Sequence, residues 1–197
     1  MIRKSFPLKT HQQETAYSSP WTHGQKVHML FWEWAWILFC SWTPKPMNAW
    51  RIFLLKLFGA KIHGKPFVHQ RARISIPWNL TLHDRSCLGD GVIAYSLGEI
   101  ELMEDATVAQ EAYLCTGTHD FNNSVRPLMT GKILVGKSAF IGARAFVMPG
   151  ISIGENAIVG ACSVVTKDVA SNSRVAGNPA RPLTKKNHSI TSEHNEY

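Results

Sequence analysis

The chain has 197 residues, of which 45% are hydrophobic, and it carries a formal net charge of +7 at pH 7. This length and composition are those of one globular domain with appendages. The positive charge is not arranged as a basic face interleaved with aromatic residues, so nucleic-acid binding is excluded. An anionic cofactor or an acidic membrane surface explains the charge better.

The N-terminal third is predicted to form a polar arm followed by two helices. Residues 1–26 are expected to be weakly ordered, and the apolar run MLFWEWAWILFCSW follows at 29–42. At about fourteen residues this run is too short to span a bilayer, which takes about twenty. Residues 27–60 are therefore expected to cap the open end of the following repeats. Without a cap, the exposed strand edge at that end would be prone to aggregation. Peripheral membrane contact through 29–58 is a further interpretation, since Trp-rich amphipathic helices suit a membrane interface.

The second helix is predicted from the stretch NAWRIFLLKLFGA. Its two basic residues, Arg51 and Lys56, fall on one side. The opposite side is apolar and carries Ile52, Leu55 and Phe58.

Beyond the helices, an aliphatic residue recurs at every sixth position. The repeat is most regular from Val135, where six hexads read VGKSAF IGARAF VMPGIS IGENAI VGACSV VTKDVA. A period of six is a multiple of the strand period and not of the helical one. Gly at the second place suits a tight corner because it tolerates positive φ. A repeat too small to bury its own apolar face must stack on copies of itself, which predicts an all-β, parallel β-helix.

The repeats define the predicted domain organisation. Residues 61–170 are expected to form about five triangular coils of three hexads each, spaced about 4.8 Å apart. Upstream of Val135 the count slips twice by two residues, which preserves the alternation of inward and outward side chains. One excursion, 119–134, is predicted to be a loop extruded from the prism. Residues 171–197 are expected to form a C-terminal coil and a basic tail.

The hexads and four longer runs resemble a known family. The runs AYLCTGTHDF, IGARAFVMPG, VGACSVVTKDV and VAGNPARP are similar to those of the hexapeptide-repeat acyltransferases, in particular the branch that O-acetylates sugars of colanic acid and other exopolysaccharides. The resemblance covers nearly the whole chain, from residue 54 to 182. It implies a left-handed β-helix, acetyl-CoA as the acyl donor, and a homotrimer whose active sites are shared between neighbouring subunits. The left hand follows from the resemblance alone, because connections between parallel strands are otherwise almost always right-handed.

The start of the excursion carries side chains suited to acyl transfer. Transfer of an acetyl group from a thioester to a sugar hydroxyl needs a base, and histidine has an unperturbed pKa, about 6.5, close to neutrality. From spacing alone, a lone histidine at a loop edge is more often a solvated surface residue. The match to TGTHD implies instead that His119 is the general base. Asp120 either orients the imidazole, as in a Ser-His-Asp arrangement, or simply starts the turn. Glu111 is an alternative orienting group.

Three residues are assigned to the acceptor, a sugar or lipid-linked saccharide. Tyr95 and Ser96 lie in a stretch, AYSLG, where related enzymes carry Asn and Tyr near the acceptor. Phe121 follows the catalytic motif two residues after His119.

The cofactor is predicted to bind along one edge of the prism. Small residues recur at the second and third hexad places, eighteen residues apart, and should therefore stack. By resemblance this edge binds the pantetheine arm of coenzyme A, with contacts from Phe140, Gly142, Ala143, Gly160, Ala161, Thr166, Lys167 and Arg181. Corner geometry explains the glycines equally well, whereas bound phosphate gives Lys167 and Arg181 a specific role. Lys185 or Lys186 is expected to stand in for a second arginine after NPAR.

Zinc and covalent mechanisms fit the sequence less well. The γ-class carbonic anhydrases share the β-helix and bind zinc through three histidines, but here His63 and His69 fall one side apart and would diverge, so no metal is predicted. Cys162 and Ser163 have no evident base nearby, which favours direct transfer in a ternary complex.

The sequence thus predicts an O-acetyltransferase that moves an acetyl group from acetyl-CoA to a sugar hydroxyl in exopolysaccharide or capsule biosynthesis. An acetyltransferase for an amino sugar or serine, and a non-catalytic trimeric β-helix used for assembly, are the alternatives. Four cysteines without a paired motif and no secretory signal indicate the cytoplasm. The inner face of the membrane is the expected place if the acceptor is carried on a lipid.

Overall fold

Short strands with one or two inward side chains each stack into a three-sided prism. The structure is a computed structural model, and it describes residues 6–13, 15 and 18–183. Lys185 and Lys186 lie outside the described residues. The strands in chain order are β1 (Lys9–Thr10), β2 (Lys61–Ile62), β3 (Phe67–Val68), β4 (Arg73–Ile74), β5 (Leu80–Leu82), β6 (Cys87–Leu88), β7 (Ile93–Tyr95), β8 (Ile100–Leu102), β9 (Thr107–Val108), β10 (Tyr113–Cys115), β11 (Gly117–His119), β12 (Leu128–Thr130), β13 (Ile133–Val135), β14 (Phe140–Ile141), β15 (Phe146–Val147), β16 (Ser152–Ile153), β17 (Ile158–Val159), β18 (Val164–Val165), β19 (Arg174–Ala176) and β20 (Arg181–Pro182).

Three parallel sheets form the sides of the prism. Face 1 stacks β2, β5, β8, β13 and β16, face 2 stacks β3, β6, β9, β14, β17 and β19, and face 3 stacks β4, β7, β10, β15 and β18. Each coil crosses faces 1, 2 and 3 in turn, which gives five complete coils and a partial sixth. The chain turns at corner 1–2, corner 2–3 and corner 3–1, named after the faces that they join.

The inward positions match the predicted hexads. All six openers from Val135 to Val165 are buried, and so are the residues at the fifth places, including Ser163. The register of face 1 pairs Ile62 with Leu82 and Leu82 with Leu102, so each of the first two steps advances by 20 residues. The later step from Val135 to Ile153 advances by 18. The extra two residues in the first coil enter at corner 3–1, next to a 3₁₀ turn, Pro77–Asn79.

The glycines at the second hexad place are required for a reason other than the predicted positive φ. The left-handed positions at the corners are held mostly by other residues, for example Ser138 and Arg144 at φ 54° and 58°. A Cβ on Gly142 would instead lie 2.5 Å from the backbone nitrogen of Ala161, and one on Gly136 would lie 2.7 Å from that of Glu155. These glycines allow consecutive coils to approach closely, and the correction follows from inter-coil packing that a single repeat does not display.

Two helices close the first coil. Helix α1 (His23–Phe39) starts at Thr22, whose side chain forms a capping box with Gln25, and a 3₁₀ turn, Lys45–Met47, leads into α2 (Asn48–Leu57). Trp32 and Trp36 are buried against the core. Neither helix is long and apolar enough to cross a membrane, and nor is any other described helix.

Arg51 is fully buried, although its spacing placed it opposite the apolar side of α2. Its guanidinium donates to the carbonyls of Val68, Pro44 and Lys45 and to the hydroxyl of Thr43, at 2.8 to 3.0 Å. Arginine can be buried here because the four bonds satisfy donors on all three guanidinium nitrogens. Arg51 therefore fastens α2 to the turn before it and to the first coil.

The N-terminal arm is more structured than its composition predicts. Strand β1 pairs with β12, and the backbone N–H of Phe6 donates to Gly150 at 2.8 Å. Polar side chains of this segment, those of His11 and Gln13, form hydrogen bonds with β12. Helix α1 also begins at His23, four residues before the predicted boundary.

The excursion spans residues 116–132 and is an antiparallel hairpin of β11 and β12. The sequence placed it at 119–134, two to three residues too late at each end. Ile133–Val135 belongs to face 1, because Ile133 is buried and pairs with Ile100 of the coil above. With β1 added, the hairpin forms a three-stranded sheet outside the prism. The repeat also continues past residue 170, where β19 stacks on β17.

Candidate active site

His119 ends β11, at corner 3–1, and its imidazole is exposed. Its Nδ1 lies 2.8 Å from the carbonyl oxygen of Arg126, across the hairpin. A carbonyl can only accept a hydrogen bond, so Nδ1 carries a proton. The bond therefore sets the tautomer of the neutral imidazole and places its lone pair, which a general base uses, on Nε2.

The two carboxylates considered as orienting groups do not contact this imidazole. The Asp120 carboxylate accepts from the backbone N–H of Asn122 at 3.0 Å, which makes it a turn residue. Neighbouring positions of an extended chain point to opposite sides, so Asp120 is turned away from His119. Glu111 lies at corner 2–3, where Arg144 donates to it at 2.6 Å. The orienting group is the Arg126 carbonyl, which no sequence pattern indicates.

The N-terminal arm braces the strand that pairs with His119. His119 pairs with Leu128, whose carbonyl accepts from the backbone N–H of His11 at 2.8 Å. The backbone N–H of Leu128 donates to the side chain of Gln13 at 2.6 Å. His11 also contacts the hydroxyl of Thr130 at 3.0 Å. These arm residues support the hairpin, and no sequence pattern indicates them because the arm carries no periodicity.

The three residues assigned to the acceptor have different positions. Tyr95 lies beside the hairpin, since a Cβ on Gly117 would come within 3.2 Å of its ring. Burial raises the pKa of Tyr95, so its phenol remains a hydrogen-bond donor at neutral pH. Phe121 is 76% exposed on the turn that follows His119.

Ser96 does not face an acceptor, contrary to the prediction. It is fully buried, and its hydroxyl accepts from the backbone N–H of Ile76 and donates to the carbonyl of the same residue, at 2.8 and 2.9 Å. A hydroxyl used twice by one backbone has a structural role. Ser96 links two consecutive coils.

The small residues of the predicted cofactor edge stack as expected. Ala143 and Ala161 lie one coil apart at corner 2–3, where the N–H of Cys162 donates to the Ala143 carbonyl at 2.9 Å. With Gln110, Glu111, Arg144 and Cys162 they line a shallow cavity of about 330 Å³. Gly142 and Gly160 precede them at the same corner. Small side chains and a nearby guanidinium suit a narrow pantetheine arm and an anionic group.

The other predicted cofactor residues lie elsewhere on the prism. Phe140 is on face 2, 42% exposed. Thr166 and Lys167 are exposed at corner 3–1, the corner of His119, two coils further along. Arg181 is exposed on β20, which pairs antiparallel with β19. In one chain the predicted cofactor residues therefore do not form a continuous groove.

His119 and the stacked alanines stand at opposite ends of face 3. His119 belongs to corner 3–1, and Ala143 and Ala161 belong to corner 2–3, so a strand of face 3 separates them. The outer surface of face 3 between them is apolar and aromatic. Tyr113 stacks on Phe146 with centroids 5.0 Å apart, and Tyr95 lies 6.0 Å from Tyr113.

The described cysteines are all free thiols. Cys115 lies on face 3 next to the hairpin, and burial raises its pKa, so it stays a neutral thiol at pH 7.

His63 and His83 stack on the side of face 1 with centroids 4.8 Å apart. Among residues 6–13, 15 and 18–183, no three His, Cys, Asp or Glu side chains form a group that could hold a metal ion.

The fold and the exposed histidine at an extruded hairpin define a class, the β-helix transferases. Residues 132–167 match the family model for bacterial transferase hexapeptide, six repeats. The structure superposes on a maltose O-acetyltransferase from Clostridium difficile 630 with a TM-score of 0.72, at 23% identity over 83% of this chain and 88% of the other. It also superposes on a galactoside acetyltransferase in complex with coenzyme A with a TM-score of 0.70, at 20% identity over 84% of each chain. These matches confirm the predicted left-handed parallel β-helix.

A protein of Escherichia coli strain K12, provisionally named colanic acid biosynthesis acetyltransferase WcaF, is 39% identical over 140 residues, which are 71% of this chain and 77% of that protein. The chain therefore belongs to the hexapeptide-repeat acetyltransferases and is an acyltransferase.

Proposed function

We propose that the protein transfers the acetyl group of acetyl-CoA to a sugar hydroxyl in exopolysaccharide or capsule biosynthesis. The observation that carries the proposal is the bond from His119 Nδ1 to the Arg126 carbonyl, which places the lone pair of the neutral imidazole on Nε2 of an exposed side chain. The 39% identity to the WcaF protein supports the polysaccharide context.

The reaction then uses one base and passes through one tetrahedral oxyanion. His119 Nε2 takes the proton of the acceptor hydroxyl as its oxygen attacks the thioester carbonyl. The tetrahedral intermediate collapses, the C–S bond breaks, and the imidazolium returns its proton to the coenzyme A thiolate. The raised pKa of Cys115, the thiol nearest to this hairpin, argues against an acyl-enzyme intermediate and for direct transfer in a ternary complex.

The acceptor is proposed to lie against Tyr95 and Phe121. The phenol of Tyr95 can donate to a sugar oxygen, and the exposed ring of Phe121 offers an apolar surface of the kind on which a pyranose ring packs. Asp120 has no part in this proposal beyond its turn.

The active unit is proposed to be a homotrimer with shared sites. In one chain the base and the alanine edge lie at opposite ends of face 3, and a neighbouring subunit can bring its own edge to His119. The aromatic outer surface of face 3 provides an apolar contact for such packing. The cofactor would lie between subunits, with its pantetheine arm along Ala143 and Ala161 and its phosphates near Lys167 and Arg181. The proposed location is the cytoplasm, at the inner face of the membrane if the acceptor is lipid-linked.

Turnover of acetyl-CoA tests this function. Coenzyme A release is measured by chromatography for the wild type, His119→Ala and His63→Ala, with a panel of nucleotide-linked and lipid-linked sugars. His63 is a matched control because it is also an exposed histidine but lies on the side of face 1. The expected result is acceptor-dependent release that falls by about 10² or more in His119→Ala only. Equal rates in the three proteins would remove His119 from the mechanism.

The acceptor panel also separates the alternatives. Faster turnover with an amino sugar or serine than with any sugar hydroxyl would replace the proposed acceptor class. A trimer that binds neither acetyl-CoA nor coenzyme A in calorimetry would identify an assembly module instead.

A further inference from the structure

Helix α1 has two apolar sides, only one of which packs on the prism. Its inner side buries Trp32, Trp36 and Cys40. At 100° per residue the opposite side carries a second apolar stripe, and every member of it is at least half exposed: Val27, Leu30, Phe31, Trp34 and Leu38. A solvent-facing helix surface is normally polar.

Helix α2 extends this stripe. Trp50, Phe53 and Leu57 are exposed, and the rings of Trp50 and Phe53 stack with centroids 5.7 Å apart. The indole N–H of Trp50 donates to the carbonyl of Phe39, at the end of α1, at 2.9 Å. The exposed apolar side chains of the two helices form one surface, called the outer apolar face below: Val27, Leu30, Phe31, Trp34, Leu38, Trp50, Phe53 and Leu57.

The inner contacts hold the outer apolar face outward. The indole N–H of Trp32 donates to the Ile74 carbonyl in the first coil at 2.6 Å, and Arg51 anchors α2 through four bonds. Neither helix can rotate to bury its other side without breaking these buried bonds. The protein therefore displays a contiguous apolar surface, which in soluble proteins marks an interaction site.

The charges around the outer apolar face favour an anionic partner. Between residues 18 and 66 the exposed cations are Lys26, Lys45, Lys56, Lys61 and Lys65, and Glu33 is the sole carboxylate of that segment. One carboxylate of the second coil, Asp84, lies beside Lys65 and accepts from its backbone N–H at 2.8 Å, so the cations still outnumber the carboxylates. A two-fold contact between two copies of this surface would place these lysines against their own equivalents, which disfavours that form of self-association. The indole N–H of Trp50 already donates to a backbone carbonyl, as does that of Trp42 in the turn between the helices, so these two rings can enter an apolar medium without leaving their donors unpaired.

We infer that the outer apolar face docks peripherally on an anionic lipid bilayer. Tryptophan and phenylalanine would insert at the level of the headgroups, and the lysines would contact lipid phosphates. A three-fold axis carries all its copies of the cap to the same side, so a trimer could engage one membrane with three faces at once. This last step, like the delivery of a lipid-linked acceptor, rests on the proposed function, whereas the docking surface does not.

Vesicle flotation tests the inference with the full chain. The probes are vesicles of phosphatidylethanolamine and phosphatidylglycerol and, for comparison, vesicles of phosphatidylcholine alone. The variants are Leu30→Ser combined with Trp34→Ser, and Leu183→Ser as a control. Leu183 is 57% exposed, similar to Leu30 at 54%, but lies beyond the last coil, away from the cap.

The expected result is binding to the anionic vesicles that falls at least tenfold in the double variant and is unchanged in Leu183→Ser. Weak binding to phosphatidylcholine and loss of binding in high salt are also expected. No flotation of the wild type, or equal loss in the control, would overturn the inference. A smaller oligomer for the double variant in light scattering would assign the face to a second copy.

Two further readouts separate this inference from the enzymatic proposal. His119→Ala should float like the wild type, and the double variant should retain turnover with a soluble acceptor. Turnover without flotation would overturn docking alone, and flotation without turnover would overturn the proposed function alone.

Discussion

The Nδ1 atom of His119 lies 2.8 Å from the carbonyl oxygen of Arg126, so the same hairpin that carries the imidazole also sets its tautomer. In many hydrolases a carboxylate takes this role. A backbone carbonyl orients the ring without placing a second charge near the oxyanion. The orientation then depends on the fold of the hairpin rather than on one side chain.

Asp120→Asn is accordingly expected to change kcat by less than about threefold. The amide oxygen can accept the same bond from the backbone N–H of Asn122 and preserve the turn. If Asp120 oriented the imidazole, the same substitution would cost up to about 10⁴ in kcat. Steady-state kinetics with an accepted sugar distinguish the two, and a loss beyond 10² would contradict the turn assignment.

Cysteine labelling tests the cofactor edge. Cys162 is exposed beside Ala161, so coenzyme A bound there should slow its alkylation by at least fivefold. Cys40 is a matched reference, because burial raises its pKa to about 11 and keeps it protonated and inaccessible until the protein unfolds. Mass spectrometry after timed iodoacetamide treatment follows both sites. Unchanged labelling of Cys162 at saturating coenzyme A would move the pantetheine arm to another edge.

Two substitutions in one corner separate inter-coil packing from backbone conformation. A Cβ on Gly136 would lie 2.7 Å from the backbone of Glu155, so Gly136→Ala should destabilise the fold by about 2 kcal/mol or more. Ser138 has φ 54° and an exposed side chain, so Ser138→Gly should change stability by less than about 1 kcal/mol. Denaturant unfolding measures both. A larger loss of stability in Ser138→Gly than in Gly136→Ala would contradict inter-coil packing as the reason for the glycines.

Acid should weaken a partly buried charge cluster on face 1. Burial acts to raise the pKa of Glu101, but hydrogen bonds from Lys132 at 2.7 Å and His83 at 3.1 Å outweigh it and hold the pKa below its ordinary value of 4.5. Because the pKa is lowered in the folded state, ionised Glu101 stabilises the fold above about pH 4.5, and this contribution is lost as the pH falls through the lowered pKa.

Glu101→Gln should therefore reduce the free energy of unfolding by about 1 kcal/mol at pH 7, and the difference from the wild type should shrink below pH 4. Glu155→Gln is the control, since Glu155 is an exposed carboxylate that lines the same surface groove as Glu101 and Lys132. Denaturant unfolding across pH 3 to 7 provides the measurement. A difference that persists at pH 3 would show that the lost stability is steric rather than ionic.

The sequence predicted the prism because its core is local and periodic. Each hexad opener, such as Val135 or Ile153, buries one side chain at a fixed spacing, and a fixed spacing is visible in one dimension. The match to TGTHD likewise placed a histidine where the chain leaves the coil.

The repeat, the family and the placement of His119 at the start of the excursion thus follow from the order of the amino acids alone. Tertiary structure decided what depends on contacts between distant residues: the arm that braces Leu128, the burial of Arg51 and Ser96, and the carbonyl that orients the imidazole. It also separated His119 and the alanine edge onto opposite ends of one face. Partners of this kind lie far apart in the chain and follow no period, so they appear only when the coils are stacked.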